Sequence, residues 1–122
     1  MLKISLDEGY VFDILSIYLV KAELAETPEK RAISQKAADA LAYEISEQIG
    51  GEDNFRAAIC HPSFVALKEA NKETFLLVDE ARKGDESLAK KVDAANLKRY
   101  YCKVRLQDRL FHTVPVEVKT HI

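Results

Sequence analysis

LDEGYVFDILSIYLVKAELA, residues 6–25, is the stretch whose reading decides the fold. At the helical step of about 100° per residue, its apolar side chains do not keep to one narrow stripe. Tyr10, Val11, Phe12, Ile14, Leu15, Ile17, Tyr18 and Leu19 cover well over half of the circumference. A helix that is apolar most of the way round has to be surrounded, so this one belongs in the middle of a domain. Ser5 and Glu8 stand at capping-box spacing just before it, where a hydroxyl and a carboxylate can serve the free amides of a first turn. The spacing predicts a helix from about Leu6 to Ala25. Its longest apolar run, Tyr10 to Val20, is broken by Asp13 and Ser16. That is too short and too polar for a bilayer, which takes about 20 apolar residues.

A central helix needs partners, and the rest of the chain offers them. Thr27-Pro28 is a second start signal, because Thr can cap and Pro at the first helical position gives up no hydrogen bond. The helix it opens is expected over 28–48, with Ile33, Ala37, Leu41 and Ile45 inward, and Gly50-Gly51 stops it. A short helical turn near 54–60, capped by Asp53 or Asn54, carries Phe55, Ala58 and Ile59. Pro62 opens a helix over 62–83, with Phe64, Leu67, Ala70, Thr74, Leu77, Val78 and Ala81 at helical spacing, and Gly84 ends it. The last helix is expected over 86–110. From residue 112 the period changes: Val114, Val116, Val118, Thr120 and Ile122 alternate with polar residues, as Leu2, Ile4 and Leu6 do at the other end. The tail, 112–122, is therefore extended, either lying on the bundle or pairing with the N-terminal segment as a ribbon.

The fold class that follows is all-α: one four-helix bundle-like domain over 1–122, with a short extra helical turn and an extended, β-capable C-terminal tail. Composition agrees. Only 4 Gly and 3 Pro in 122 residues leave too few turn formers for a sandwich or barrel. A hydrophobic fraction of 48% with 31% charged residues suits a globular chain and not a disordered one. The N-terminus has neither the cationic start nor the cleavage site of a signal peptide, and 2 Cys do not make a disulfide scaffold, so the expected compartment is cytoplasmic.

Charge is spread unevenly. Residues 88–109 hold seven basic and two acidic side chains, a net +5, whereas residues 7–53 hold four basic and eleven acidic ones, a net −7. On a helical wheel Lys91, Lys98, Arg105 and Arg109 fall in one stripe of the last helix. Leu88, Val92, Ala95, Leu106 and Leu110 form one apolar face. Leu97, Tyr100, Val104 and Phe111 form a second, with Tyr101 between it and the basic stripe. A helix apolar on two sides calls for two partners. The basic stripe has three possible uses: a solvated face complemented by the acidic first half, an interface where positive meets negative across subunits, or phosphate contact.

Patterns that fix a reaction are missing. His61, His112 and His121 are preceded three residues earlier by Ala58, Arg109 and Val118, so the Glu-x-x-His of a di-metal bundle does not occur and no metal or other cofactor is expected. Gly50-Gly51 is an isolated pair and no phosphate loop. Cys60 and His61 are adjacent and so point apart. Cys102, with Lys98, Arg99 and Arg105 within one helical turn, is the better reactive-thiol candidate, since nearby cations lower a thiol pKa. The sequence therefore points to a non-enzymatic accessory or protein-interaction protein that forms a homodimer or small homo-oligomer. Leu97, Tyr100, Tyr101 and Val104 are its candidate interface, and Lys91, Lys98, Arg105 and Arg109 its partner- or phosphate-binding residues. Another protein partner, a nucleic-acid-associated role for the basic stripe, and an enzyme whose site is dispersed in sequence are the alternatives. No membrane association is expected.

Overall fold

The computed structural model describes Leu2 and residues 4–112. Among these it forms five α-helices: α1 (Glu8–Glu23), α2 (Pro28–Gln48), α3 (Glu52–Cys60), α4 (Pro62–Arg82) and α5 (Ala89–Phe111), with a 3-10 turn at Glu86–Leu88 leading into α5. The described residues contain no strand. The fold is all-α. The alternating tail over 113–122, and with it the ribbon it would form, lies outside the described residues.

α1 is the central element. It packs against α2, α4 and α5, while α4 and α5 make the most extensive helix pair and α3 bridges α2 to α4. The core gathers around Phe12, Leu15, Ala38, Ile45, Ala58, Phe64, Leu67 and Leu106. Phe12 is its hub. Its ring lies 5.8 Å from that of Phe64, edge-on at 74°, 5.8 Å from that of Phe111 and 6.4 Å from that of Phe55. Side chains from α1, α3, α4 and α5 thus meet at one point, at separations where aromatic pairs attract.

Several helix ends differ from the sequence expectation, each for a local reason. Ser5 and Glu8 do not form a capping box: α1 begins at Glu8 after Asp7, and no side chain of its own segment caps it. The Glu8 carboxylate instead accepts from Nε2 of Gln107 at 2.6 Å, and Oε1 of that carboxamide accepts from the amide of Gly9 at 2.6 Å. The cap of α1 comes from α5. Asn54 does not open α3, which starts two residues earlier; its Nδ2 donates to the Ile49 carbonyl at 2.8 Å and so closes the end of α2. Glu86 lies in the 3-10 turn, held by Asp85 Oδ1 accepting from the Ser87 amide at 3.1 Å, so α5 begins at Ala89.

Other signals act as their spacing predicts. Thr27 Oγ1 accepts from the Lys30 amide at 3.2 Å, and Gly50 and Gly51 turn at φ of 97° and 111°. α4 starts on His61, whose Nδ1 accepts from the Ser63 amide at 3.1 Å. α2 buries only Ala38 and Ile45 fully. Ile33, expected inward, is 71% exposed and borders a surface cavity between the end of α1 and α4, with Lys21, Leu24 and Phe75. Beyond the core, a groove of about 670 Å³ runs between the start of α1 and the end of α2, bordered by Leu2, Ile4, Leu6, Phe12 and Ile45.

Candidate functional site

α5 lies along α4 and α1, and the rotation of the helix follows from what it buries. Ala95 and Leu106 are buried, Val92, Cys102 and Leu110 half-buried, which continues one apolar face along the helix. The second apolar face divides. Phe111 turns into the core against Phe12. Tyr100 and Val104 are half-buried, and Leu97 and Tyr101 stand out at 53% and 58% exposure. The Tyr100 and Tyr101 rings meet edge-on at 5.7 Å. Lys103 Nζ lies 5.6 Å from the Tyr100 ring and 5.8 Å from that of Tyr10 on α1, distances at which a cation is attracted to a ring face. Tyr10 is itself 44% exposed, so this aromatic surface spans two helices. The sequence pattern of α5 alone does not show that Tyr10 belongs to it.

The four cations of the stripe are all exposed. Lys98 Nζ sits 3.1 Å from Glu73 Oε2 on α4, a pair exposed enough to contribute little to stability. Lys91, Arg105 and Arg109 have no hydrogen bond or ion pair to the described residues. Arg99 joins α5 to the acidic first half through its ion pair with Asp13.

Beneath this surface is a polar constellation that the wheel does not reveal. Asp13 and Ser16, the two residues that break the apolar run of α1, are buried. Asp13 Oδ1 accepts from Asn71 Nδ2 on α4 at 2.8 Å, and Oδ2 accepts from Arg99 Nη2 on α5 at 3.2 Å. Asn71 Nδ2 also donates to Ser16 Oγ, whose own hydroxyl donates to the Asp13 carbonyl at 2.7 Å. Three helices are thus tied by one carboxylate, one carboxamide and one guanidinium. Arg99 Nε is buried without an acceptor among the described residues. A small cleft of about 170 Å³ lies over Arg99, walled by Asp13, Asn96, Tyr100 and Lys103. The sequence signal for this network was the pair of polar residues at i and i+3 inside an otherwise apolar helix, which requires partners once the helix is buried.

Cys102 is half-buried and packs against the core cluster, and two of the cations near it in sequence, Lys98 and Arg99, face Glu73 and Asp13. Cys60 is exposed, and the two thiols are not joined in a disulfide. Among the described residues no group of three or more His, Cys, Asp or Glu side chains is arranged to hold a metal ion, and no helix is long and apolar enough to cross a membrane.

No family model, curated protein or solved structure matches this chain. Function rests on the geometry.

Proposed function

We propose that this is a non-enzymatic accessory protein that acts by binding protein, itself included, through the outer face of α5. The observation that carries the reading is the exposure of Leu97 and Tyr101, at 53% and 58%, on a helix whose packing face is already filled by α1 and α4. Tyrosine and arginine are enriched at protein interfaces, and Tyr101 has Arg105 one turn along the same face. The buried Asp13, Ser16 and Asn71 and the half-buried Arg99 supply a further support: each is engaged with another of the set, which is the arrangement of a structural tie.

Sedimentation velocity across the micromolar range tests the reading. The wild type is expected to sediment above the monomer mass, and Leu97→Asp with Tyr101→Ser to return it to monomer without unfolding it. A wild type that stays monomeric throughout overturns the self-association.

A second use of the same stripe, contact with phosphates, is favoured by the exposure of Lys91, Arg105 and Arg109, none of which forms an ion pair with the described residues. A net charge of −2 weighs against it. Gel shifts with single- and double-stranded DNA and RNA at low salt separate the two: a shift abolished by Arg105→Glu and Arg109→Glu supports phosphate contact, and no shift removes it.

A further inference from the structure

We infer that the surface opposite the α5 face in the assembly is the outer face of α2 on a second copy, so that the protein associates head to tail. This rests on the reading above that α5 is a protein-binding face, and it names the partner surface.

α2 packs chiefly on α1, with α3 at its end, and its outer side is exposed. That side carries Asp39, Tyr43 and Glu47 at i, i+4 and i+8, which places them in one stripe along the helix. Tyr43 is 68% exposed. α5 repeats the pattern with the opposite charge: Leu97, Tyr101 and Arg105 at the same spacing, with Lys98 beside them. Each stripe is centred on an exposed tyrosine, one between carboxylates and the other among cations.

Charge selects the pairing. Two α5 faces would set the cationic side of one helix, Lys98 and Arg105, against the same side of another, and two α2 faces would set Asp39 against Glu47. Only α2 against α5 opposes unlike charges. The residues of the wrong sign fix the direction. Lys36 lies seven residues before Tyr43 on the α2 stripe, and Asp108 lies seven residues after Tyr101 on the α5 stripe. Seven residues are about 10 Å of helix rise. With the helices antiparallel and Tyr43 level with Tyr101, Lys36 comes level with Asp108, Asp39 with Arg105, and Glu47 within one residue of Lys98. A parallel alignment leaves Lys36 opposite Ala94. The contacts Lys98 makes in the monomer do not oppose this, because its pair with Glu73 is exposed and exchanges at little cost.

A contact of this kind is heterologous: each copy offers an α5 face and an α2 face, so assembly continues into a ring or a chain. A single helix-on-helix contact lies at the small end of specific interfaces, below about 1,200 Å², so association is expected in the micromolar range.

The test is a charge swap read by sedimentation velocity on the full chain. One variant carries Lys98→Glu and Arg105→Glu, the other Asp39→Lys and Glu47→Lys. All four positions are exposed, and far-UV circular dichroism with a urea midpoint confirms that each variant is folded. Each variant alone is expected to associate at least tenfold more weakly than wild type. Mixed in equal amounts they are expected to assemble again, because each now complements the other, and one chain carrying all four substitutions is expected to self-assemble. Raising the salt from about 0.05 to about 0.5 M weakens the wild-type assembly by screening exposed pairs. If wild type assembles but the α2 variant assembles equally well, or the mixture stays monomeric, α2 is not the partner surface and the α5 reading stands alone. If wild type is monomeric throughout, the α2 pairing and the self-association both fall.

Discussion

The amide of Gly9, in the first turn of α1, donates a 2.6 Å hydrogen bond to the carboxamide of Gln107, 98 residues later in the chain and fully buried. The same side chain donates to Glu8 at 2.6 Å. One residue of the last helix therefore does what a local cap does for most helices, serving an amide that would otherwise be buried without a partner. The helices approach closely there: a Cβ on Gly9 would lie 3.0 Å from the Lys103 carbonyl oxygen and 3.2 Å from Gln107 Oε1.

Removing this tie is expected to cost more than a surface hydrogen bond. Gln107→Leu keeps the volume but leaves the Gly9 amide and the Glu8 carboxylate without that partner, a loss of about 2 kcal/mol. Gly9→Val pushes the two helices apart and is expected to cost about 2 kcal/mol by overpacking. Urea unfolding reads both as a lower midpoint at unchanged slope. Wild-type midpoints for both would mean that α1 and α5 are not held by this contact.

Asp13 and Arg99 form the second tie between these helices. Arg99→Met leaves a buried carboxylate with Asn71 as its remaining side-chain donor, and is expected to destabilise by about 2–3 kcal/mol, toward the lower end of buried pairs because Arg99 is 28% exposed. Asp13→Leu combined with Arg99→Met removes both charges together. A double-mutant cycle is expected to return a coupling of about 1 kcal/mol or more, and additive losses would count against the pair.

Phe12 is 1% exposed and touches aromatic rings from three other helices. Phe12→Ala is expected to cost about 3–5 kcal/mol, from lost transfer energy and the cavity left behind. That is a large share of the stability of a domain this size, so thermal unfolding should show a strongly lowered or absent transition. Tyr43→Ala, on the exposed side of α2, is the control and is expected to stay within about 0.5 kcal/mol of wild type.

The two cysteines should differ in access. Cys60 is exposed and Cys102 half-buried against the core. A thiol reagent in native buffer is expected to modify Cys60 first and Cys102 at least tenfold more slowly, the gap closing in denaturant. Fast labelling of Cys102 in the native state would instead favour a reactive thiol there.

Much of the fold was readable from the chain because its signals are local. Thr27-Pro28, Gly50-Gly51, Pro62 and Gly84 mark helix ends through backbone geometry that each residue imposes on its own neighbours. The apolar coverage of residues 6–25 placed α1 in the middle, where the structure has it. The stripe of Lys91, Lys98, Arg105 and Arg109 was also visible, since helical spacing alone lines it up and all four are exposed.

What the sequence left open depends on side chains far apart in the chain. Ser5 and Glu8 have the spacing of a cap, yet the partner of Glu8 is Gln107, which only the crossing of α1 and α5 brings near. Asp13 and Ser16 looked like interruptions of an apolar run; their reason is Asn71 and Arg99, from two other helices. Phe111 and Leu97 shared a face on the wheel, but one was drawn into the core by Phe12 and the other left in solvent. Periodicity tells a helix which side is apolar. Which part of that side meets another helix, and which remains free for a partner, is decided by where the helices cross.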